Sequence, residues 1–124
     1  MIDASISVVL VDRDITSLRQ IAPVLEGLAP SNLYVLFSDY TGALEYLRGK
    51  RADMLIADVS ANDGEGFGFI SEARNLQPWL RFVCMSGDAS DALESMRLKA
   101  DDFILKPCSD EALLHVLLSA PGGC

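Results

Sequence analysis

The chain has 124 residues, half of them hydrophobic, and its 18 acidic residues outnumber the 10 basic ones, which gives a formal net charge of −8. This size fits one compact domain, and the acidic balance argues against direct binding to nucleic acid, which needs clustered lysine and arginine. No apolar run approaches the roughly 20 residues that span a bilayer, and residues 1–5 lack the features of a secretion signal, so we expect a cytoplasmic protein without membrane contact.

The first part of the chain predicts two strand–helix units. Residues 6–11 form a nearly continuous, β-branched apolar run that is typical of a strand buried on both faces, and this run ends at Asp12. Apolar residues then recur at helical spacing over 15–25 and predict the first helix. A second strand is predicted at 33–37, and it leads into a second helix with apolar residues at 43–47.

The third unit contains the longest predicted loop. Its strand is a short apolar run at 54–57 that ends at Asp58. A glycine-rich loop is predicted over 60–66, and a helix with apolar residues at helical spacing begins at Phe67. The loop therefore follows closely after the carboxylate that ends the strand.

Two further units complete the pattern. The fourth strand is predicted at 80–85, and a helix over 90–98 follows it. The fifth strand, at 103–105, leads to a last helix. We expect this helix to start at Ser109, because a hydroxyl followed by two acidic residues is typical of a helix N-terminus.

Strands that alternate with helices predict an α/β fold, in which a doubly wound parallel sheet is covered by helices on both faces and connected by right-handed crossovers. The five strands and five helices fall within residues 1–119, which we assign to one domain. Residues 120–124 contain a proline and two glycines, and we interpret them as a tail or linker stub.

Polar side chains that point to one chemistry end the first, third, fourth and fifth predicted strands, namely Asp12, Asp58, Ser86 and Lys106, whereas the second strand contributes only Ser38 and Asp39. Because the carboxyl ends of parallel strands meet at one edge of the sheet, where ligands bind, we expect two carboxylates, a hydroxyl and an ammonium to lie close together. A flavodoxin-like cofactor-binding protein shares this architecture. The Asp-Arg-Asp sequence at 12–14 disfavours that alternative, because a phosphate-binding loop after the first strand needs serine, threonine and glycine.

Several stretches resemble the receiver domains of bacterial response regulators, the CheY-like family. Residues 53–58 are similar to the family's third strand, Ser86–Gly87 to its threonine or serine followed by a small residue, and 100–107 to its fifth strand. Glu65–Gly66 falls in the register of the family's Asp-Gly pair. The resemblance implies a sheet of order 2-1-3-4-5 and a cis peptide bond between Lys106 and Pro107.

The resemblance also implies a chemistry for the strand ends. Asp58 is expected to accept a phosphoryl group from a histidine kinase or a histidine phosphotransfer protein, with Lys106 and Ser86 each stabilising one phosphoryl oxygen. A Mg²⁺ ion is expected to bind Asp12, Asp58 and the backbone carbonyl of Ser60. Any enzymatic activity is expected to be limited to self-phosphotransfer and autodephosphorylation.

In the family, phosphorylation is read by a partner on the surface of the fourth helix, fifth strand and fifth helix. The resemblance implies that Ser86 moves towards the phosphoryl group, that Phe103 follows into the space it leaves, and that this surface changes. A downstream protein or a fused effector domain is the expected recipient of the signal. Homodimerisation through the same surface is common in the family.

One position departs from the family pattern, because Arg13 stands where a second acid normally binds the metal and an arginine cannot be a ligand. Three outcomes are open. Arg13 turns to solvent and leaves a weaker Mg²⁺ site completed by water or Asp14, or it pairs with Asp58 and substitutes for the charge of the metal. The third outcome is a pseudo-receiver that acts only as a protein-interaction module, which Asn62, at the family's proline position in the loop, also favours.

Overall fold

The computed structural model describes residues 5–60 and 64–119, in which five strands alternate with five helices. The strands are β1 (Ser7–Val11), β2 (Leu33–Phe37), β3 (Met54–Asp58), β4 (Arg81–Ser86) and β5 (Asp102–Leu105). The helices are α1 (Ile15–Leu28), α2 (Tyr40–Gly49), α3 (Glu65–Leu76), α4 (Asp91–Arg97) and α5 (Asp110–Leu118). Within these residues, no helix combines the length and the apolar character that crossing a bilayer requires.

All four strand pairings are parallel, and the order across the sheet is β2-β1-β3-β4-β5, which confirms the predicted fold class and strand order. Val11 lies opposite Phe37 on one side and Ala57 on the other, and Asp58 lies opposite Met85. The carboxyl ends of the strands are therefore aligned at one edge. The chain leaves β1 and β3 in opposite directions across the sheet, so the crevice between them is the topological switch point at which such sheets bind ligands.

The two faces of the sheet are buried in separate cores, as the residues of β1 illustrate. Val8 and Leu10 belong to a cluster that includes apolar residues of α1 and α5, whereas Val9 and Val11 belong to a cluster that includes residues of α2 and α3. All four side chains are fully buried. Because both faces of the sheet are covered, its inner strands read as continuous apolar runs rather than as alternating patterns.

Helix α3 begins earlier than predicted, since the glycine-rich pattern predicts a loop through residue 66 and the structure places Glu65 and Gly66 in the first turn of the helix. Gly64, with a φ of 76°, forms the end of the loop. Gly66 is buried so close to the residue after β3 that an added Cβ would lie 2.6 Å from Val59 Cα. This glycine therefore serves close packing of a helix on a strand end and not a turn.

The connection from β5 to α5 agrees with expectation. The Lys106–Pro107 peptide bond is cis. Ser109 is the N-cap of α5, and its Oγ accepts a hydrogen bond of 3.1 Å from the backbone N–H of Ala112. Asn62 and the predicted tail, 120–124, lie outside the described residues.

The contact at Gly66 predicts an effect on stability. Substituting Gly66→Ala pushes α3 away from Val59 and is expected to lower the free energy of unfolding by about 2 kcal/mol. The matched control is Gly68→Ala in the same helix, where an added Cβ meets no atom within 4 Å; this change is expected to be neutral or stabilising by up to about 1 kcal/mol. Urea denaturation measures both. Equal effects of the two substitutions would contradict the packing described here.

Candidate functional site

Three of the four predicted strand-end residues meet at the carboxyl edge of the sheet. The ammonium of Lys106 donates hydrogen bonds of 2.7 Å to Asp12 Oδ2 and 2.6 Å to Asp58 Oδ2. The two aspartates are only 2% and 8% exposed. Buried carboxylates are costly unless a cation pairs with them. Lys106 is therefore the cation that compensates both carboxylates at the switch point.

The second oxygen of each carboxylate is held by the loop that follows its own strand. Asp12 Oδ1 accepts a hydrogen bond of 2.9 Å from the backbone N–H of Asp14, and Asp58 Oδ1 accepts one of 2.8 Å from that of Ser60. Such bonds to a backbone N–H two residues on are typical of aspartate at the start of a turn. Each carboxylate thus has one oxygen on Lys106 and one on its loop, which fixes its orientation.

These groups line an open cavity of about 280 Å³. Its walls are formed by Asp12, Arg13, Asp14, Asp58, Ser60 and Lys106. Three acidic and two basic side chains give the lining a formal charge of −1. An anion that entered this cavity would therefore depend on the two cations, or on an added metal ion, for electrostatic compensation.

The pKa of Lys106 reflects its two partners. Burial by itself would lower the pKa of this ammonium, but the hydrogen bonds and charges of Asp12 and Asp58 outweigh burial and hold the pKa above its ordinary value of 10.5. Lys106 is therefore charged at physiological pH, as a group that compensates an anion has to be.

Ser86, the fourth predicted residue, lies at the end of β4 but does not line the cavity. Its side chain is fully buried. The hydroxyl donates a hydrogen bond of 2.6 Å to Asp91 Oδ2 in the first turn of α4 and accepts one of 3.0 Å from the backbone N–H of Asp88. The strand end is where the sequence predicts it, but in this structure the hydroxyl is bound to α4.

Arg13 does not pair with Asp58, so that alternative among the three is wrong for this structure. Its guanidinium donates a hydrogen bond of 3.0 Å to Glu65 Oε2 and lies over the ring of Tyr40, 5.1 Å from the ring centroid. The Arg13 side chain is 43% exposed, and an ion pair as open as this one contributes little to stability. Arg13 is thus at the rim of the cavity and is held there by two weak contacts.

Tyr40 is a residue at the site that the sequence analysis missed. It is the first residue of α2, and its hydroxyl donates a hydrogen bond of 2.7 Å to the backbone carbonyl oxygen of Asp58. The signal in the sequence is an aromatic residue directly after Asp39, which caps α2 by accepting from the N–H of Gly42. Tyr40 therefore ties the start of α2 to the end of β3.

Asp14, the alternative to water as a further ligand, serves first as the N-cap of α1. One of its carboxylate oxygens accepts a hydrogen bond of 3.0 Å from the backbone N–H of Thr16. Residues 5–60 and 64–119 hold no group of three acidic, histidine or cysteine side chains arranged to bind a metal ion. The donors that remain for Mg²⁺ are two carboxylates, Asp12 and Asp58, and the Ser60 carbonyl. This set fits Mg²⁺, which commonly binds one or two carboxylates and keeps several waters.

Phe103 lies on β5 directly opposite Cys84 of β4. Its ring is half-buried and packs against the core cluster on the α2 and α3 face. It therefore has solvent on one side and core on the other, whereas Cys84 is fully buried.

Comparison with known proteins identifies the class. The model of the response regulator receiver domain family matches residues 8–118, so the chain belongs to this family. The transcriptional regulatory protein ZraR of Salmonella typhimurium is 26% identical over 122 residues, which cover 97% of this chain. The chain spans only 27% of the length of that relative.

Two solved structures are similar in fold. A CheY-like receiver domain protein from Methanospirillum hungatei has a TM-score of 0.79 at 20% identity, with 92% of this chain and 91% of that chain covered. A response regulator from Burkholderia pseudomallei, solved with a phosphorylated aspartic acid, a calcium ion and citrate, also has a TM-score of 0.79 at 20% identity, with 93% of this chain and 68% of that chain covered. At these identities the likeness establishes the fold.

The ion pairs of Lys106 predict how stability depends on pH. Because the folded-state pKa lies above the unfolded value, the contribution of this ammonium is complete below pH 10.5 and is lost as the pH rises through the folded-state pKa. Lys106→Met is expected to lose about 2 kcal/mol of stability at neutral pH, and its deficit relative to wild type is expected to shrink above pH 10.5. Denaturation across pH 7 to roughly 12 measures this.

The exposed Lys50 provides the control for this measurement. Lys50→Met is expected to track wild type at every pH. A deficit of Lys106→Met that stayed constant through the alkaline range would contradict the assigned pairing.

Proposed function

We propose that this receiver domain accepts a phosphoryl group on Asp58 from the phosphohistidine of a histidine kinase or a histidine phosphotransfer protein. The observation that carries the proposal is the pairing of Lys106 with both Asp12 and Asp58 at the switch point of the sheet. A cation within 2.6 Å of the accepting carboxylate is already in place for the charge that develops during phosphoryl transfer. The phosphorylated aspartic acid of the Burkholderia pseudomallei neighbour supports the same chemistry.

In the transfer step, an oxygen of the Asp58 carboxylate forms a bond to phosphorus while the bond between phosphorus and the donor imidazole nitrogen breaks. The imidazole nitrogen keeps the electron pair of that bond. Asp58 begins with one negative charge, and its acyl phosphate carries up to two. Lys106 stabilises this added charge, because its ammonium exchanges a carboxylate oxygen for a phosphoryl oxygen.

For Mg²⁺ we propose the donors that the cavity offers, namely the carboxylates of Asp12 and Asp58 and the backbone carbonyl of Ser60. The ion supplies positive charge that neutralises phosphoryl oxygens. Asp12 is held for this role by Lys106 and by the N–H of Asp14. Asp14 itself contributes less than Asp12, since it caps α1.

We also propose that the domain transmits its phosphorylation state through the surface formed by α4, β5 and α5. Ser86 moves to donate to a phosphoryl oxygen, and the half-buried Phe103 follows it. This surface exposes the apolar side chains of Leu93, Met96 and Leu105, which favours a protein partner or a second copy of the domain. The name of ZraR, a transcriptional regulatory protein, supports a fused effector domain as one recipient, and we place the protein in the cytoplasm.

Incubation with acetyl phosphate and Mg²⁺ is expected to add one phosphoryl mass to the wild-type protein. Asp58→Asn removes the nucleophilic carboxylate and is expected to abolish this addition. Asp39→Asn is the matched control, because Asp39 caps α2 outside the cavity and asparagine also caps helices, and it is expected to be labelled like wild type. Intact-protein mass spectrometry measures all three. Absence of label on the wild type at high Mg²⁺ would refute the proposal.

A second candidate, a pseudo-receiver that acts only by binding proteins, is favoured by Arg13, which stands where the family has a second acid, and by Asn62 at the family's proline position. The test is Arg13→Asp, with Arg19→Asp on the exposed face of α1 as a control of equal charge change. We expect wild type and Arg13→Asp both to be phosphorylated. Arg13→Asp is expected to bind Mg²⁺ about tenfold more tightly, because a carboxylate that can bind the metal replaces a guanidinium that repels it.

Titration calorimetry with Mg²⁺ and phosphorylation by acetyl phosphate distinguish the two candidates. The pseudo-receiver is the correct description if Arg13→Asp alone binds Mg²⁺ and accepts phosphate, while wild type and Arg19→Asp do neither.

A further inference from the structure

The hydroxyl group of Ser86 has one hydrogen, and in this structure that hydrogen is donated to another side chain. Ser86 Oγ donates to Asp91 Oδ2 at 2.6 Å and accepts from the backbone N–H of Asp88 at 3.0 Å. A serine hydroxyl is a single donor. While it donates to Asp91, it cannot donate to a phosphoryl oxygen on Asp58. The two hydrogen bonds therefore exclude each other.

The hydrogen bond from Ser86 to Asp91 is of a strong kind. Its acceptor is a carboxylate, its length is short, and the donor residue is 0% exposed. Hydrogen bonds to charged acceptors are about twice as strong as neutral ones, and a buried hydroxyl without an acceptor is costly. The bond is thus a real competitor for the hydrogen of Ser86.

Asp91 is itself anchored to the helix that it begins. Its backbone carbonyl accepts a hydrogen bond of 2.9 Å from the hydroxyl of Ser95, which is 1% exposed. Ser95 is a buried residue of α4. The Ser86–Asp91 bond therefore ties the end of β4 to a first turn of α4 that is itself held by Ser95.

We propose that Asp91 is a positioning residue that holds Ser86 in the unphosphorylated arrangement, and that phosphorylation exchanges the acceptor of the Ser86 hydroxyl from Asp91 to a phosphoryl oxygen. The proposal rests on the proposed function of Asp58. When the exchange occurs, the carboxylate of Asp91 is released, and the tie between β4 and α4 is lost. The start of α4 then changes its contacts together with Ser86.

Because Asp91 stabilises the unphosphorylated arrangement, it disfavours the phosphorylated one. Removing its carboxylate leaves the buried hydroxyl of Ser86 without its acceptor only when no phosphoryl group is present. The unphosphorylated arrangement is destabilised, whereas the phosphorylated one, in which Ser86 donates to the phosphoryl group, is not. A phosphoryl analogue is therefore expected to bind more tightly to a protein that lacks the Asp91 carboxylate.

The test measures the affinity of beryllofluoride, a phosphoryl analogue, at a fixed Mg²⁺ concentration by titration calorimetry. Asp91→Ala is expected to bind about tenfold more tightly than wild type, and Asp91→Asn, which keeps an oxygen acceptor but loses the charge, about threefold more tightly. Asp88→Asn is the matched control. It removes a nearby negative charge but keeps the backbone N–H that donates to Ser86, so it is expected to bind like wild type.

A double-mutant cycle separates the exchange from a general loss of negative charge or of structure. In a Ser86→Ala background there is no hydroxyl to compete for, so Asp91→Ala is expected to have no further effect on affinity. The proposal would be overturned if Asp91→Ala raised the affinity for beryllofluoride equally in the presence and absence of the Ser86 hydroxyl. Equal increases in affinity from Asp88→Asn and Asp91→Asn would overturn it as well. Should the alanine variant fail to fold, Asp91→Asn carries the same cycle with its threefold expectation.

The wild-type protein distinguishes this proposal from the one that it rests on. No binding of beryllofluoride by wild type overturns both proposals. Binding by wild type with an unchanged affinity in Asp91→Ala overturns only the role of Asp91 and leaves Asp58 as the phosphoacceptor.

Discussion

Two buried carboxylates, those of Asp12 and Asp58, lie at the switch point of the sheet, and the ammonium of Lys106 is what makes this arrangement stable. Without a cation, the two negative charges in a buried crevice would repel each other, and the free-energy cost of removing them from water would not be compensated. The cation comes from the residue directly after β5, two strand positions from β3, a distance of roughly 10 Å that the lysine and aspartate side chains span together. The order of the strands therefore determines which side chains can pair at the site.

The same ion pairs would allow the site to respond to added charge on Asp58. A cation that is shared between two carboxylates can exchange one oxygen for another as charge is added to Asp58, without any change in the sheet. The Ser86 hydroxyl provides the complementary element, because its single hydrogen has to leave one acceptor before it can reach another. In the proposed mechanism, charge compensation by Lys106 and hydrogen-bond exchange at Ser86 together connect chemistry at the end of β3 to the start of α4.

The fold and much of the site could be predicted from the sequence, because both depend on backbone pattern. Apolar runs of strand length alternate with helical periodicity, and in a parallel sheet the residues after each run, such as Asp12, Asp58 and Lys106, necessarily share one edge. The side-chain partners could not be predicted in this way. Arg13 has a long, flexible side chain, and its partner Glu65 is 52 positions away in the chain. Glu65 lies in the first turn of α3, whereas the glycine-rich pattern predicted a loop at this position.

Ser86 and Tyr40 show the same limit. The position of Ser86 at a strand end follows from the pattern, but the direction of its hydroxyl depends on Asp91, which lies on another element. Tyr40 reaches the backbone of Asp58 from the start of α2, and the aromatic residue after the capping Asp39 marks the start of the helix but not its partner on β3. What remains unpredictable is thus the choice between competing polar partners, which differ in free energy by little more than one hydrogen bond.

The central claim is that Asp58 is the residue that forms the acyl phosphate. The most direct measurement is reduction of the phosphorylated protein with borohydride, which converts an aspartyl phosphate to homoserine, followed by tandem mass spectrometry of its peptides. We expect homoserine at position 58 and at no other aspartate. Homoserine at another position, or none in protein that carries the phosphoryl mass, would contradict the account.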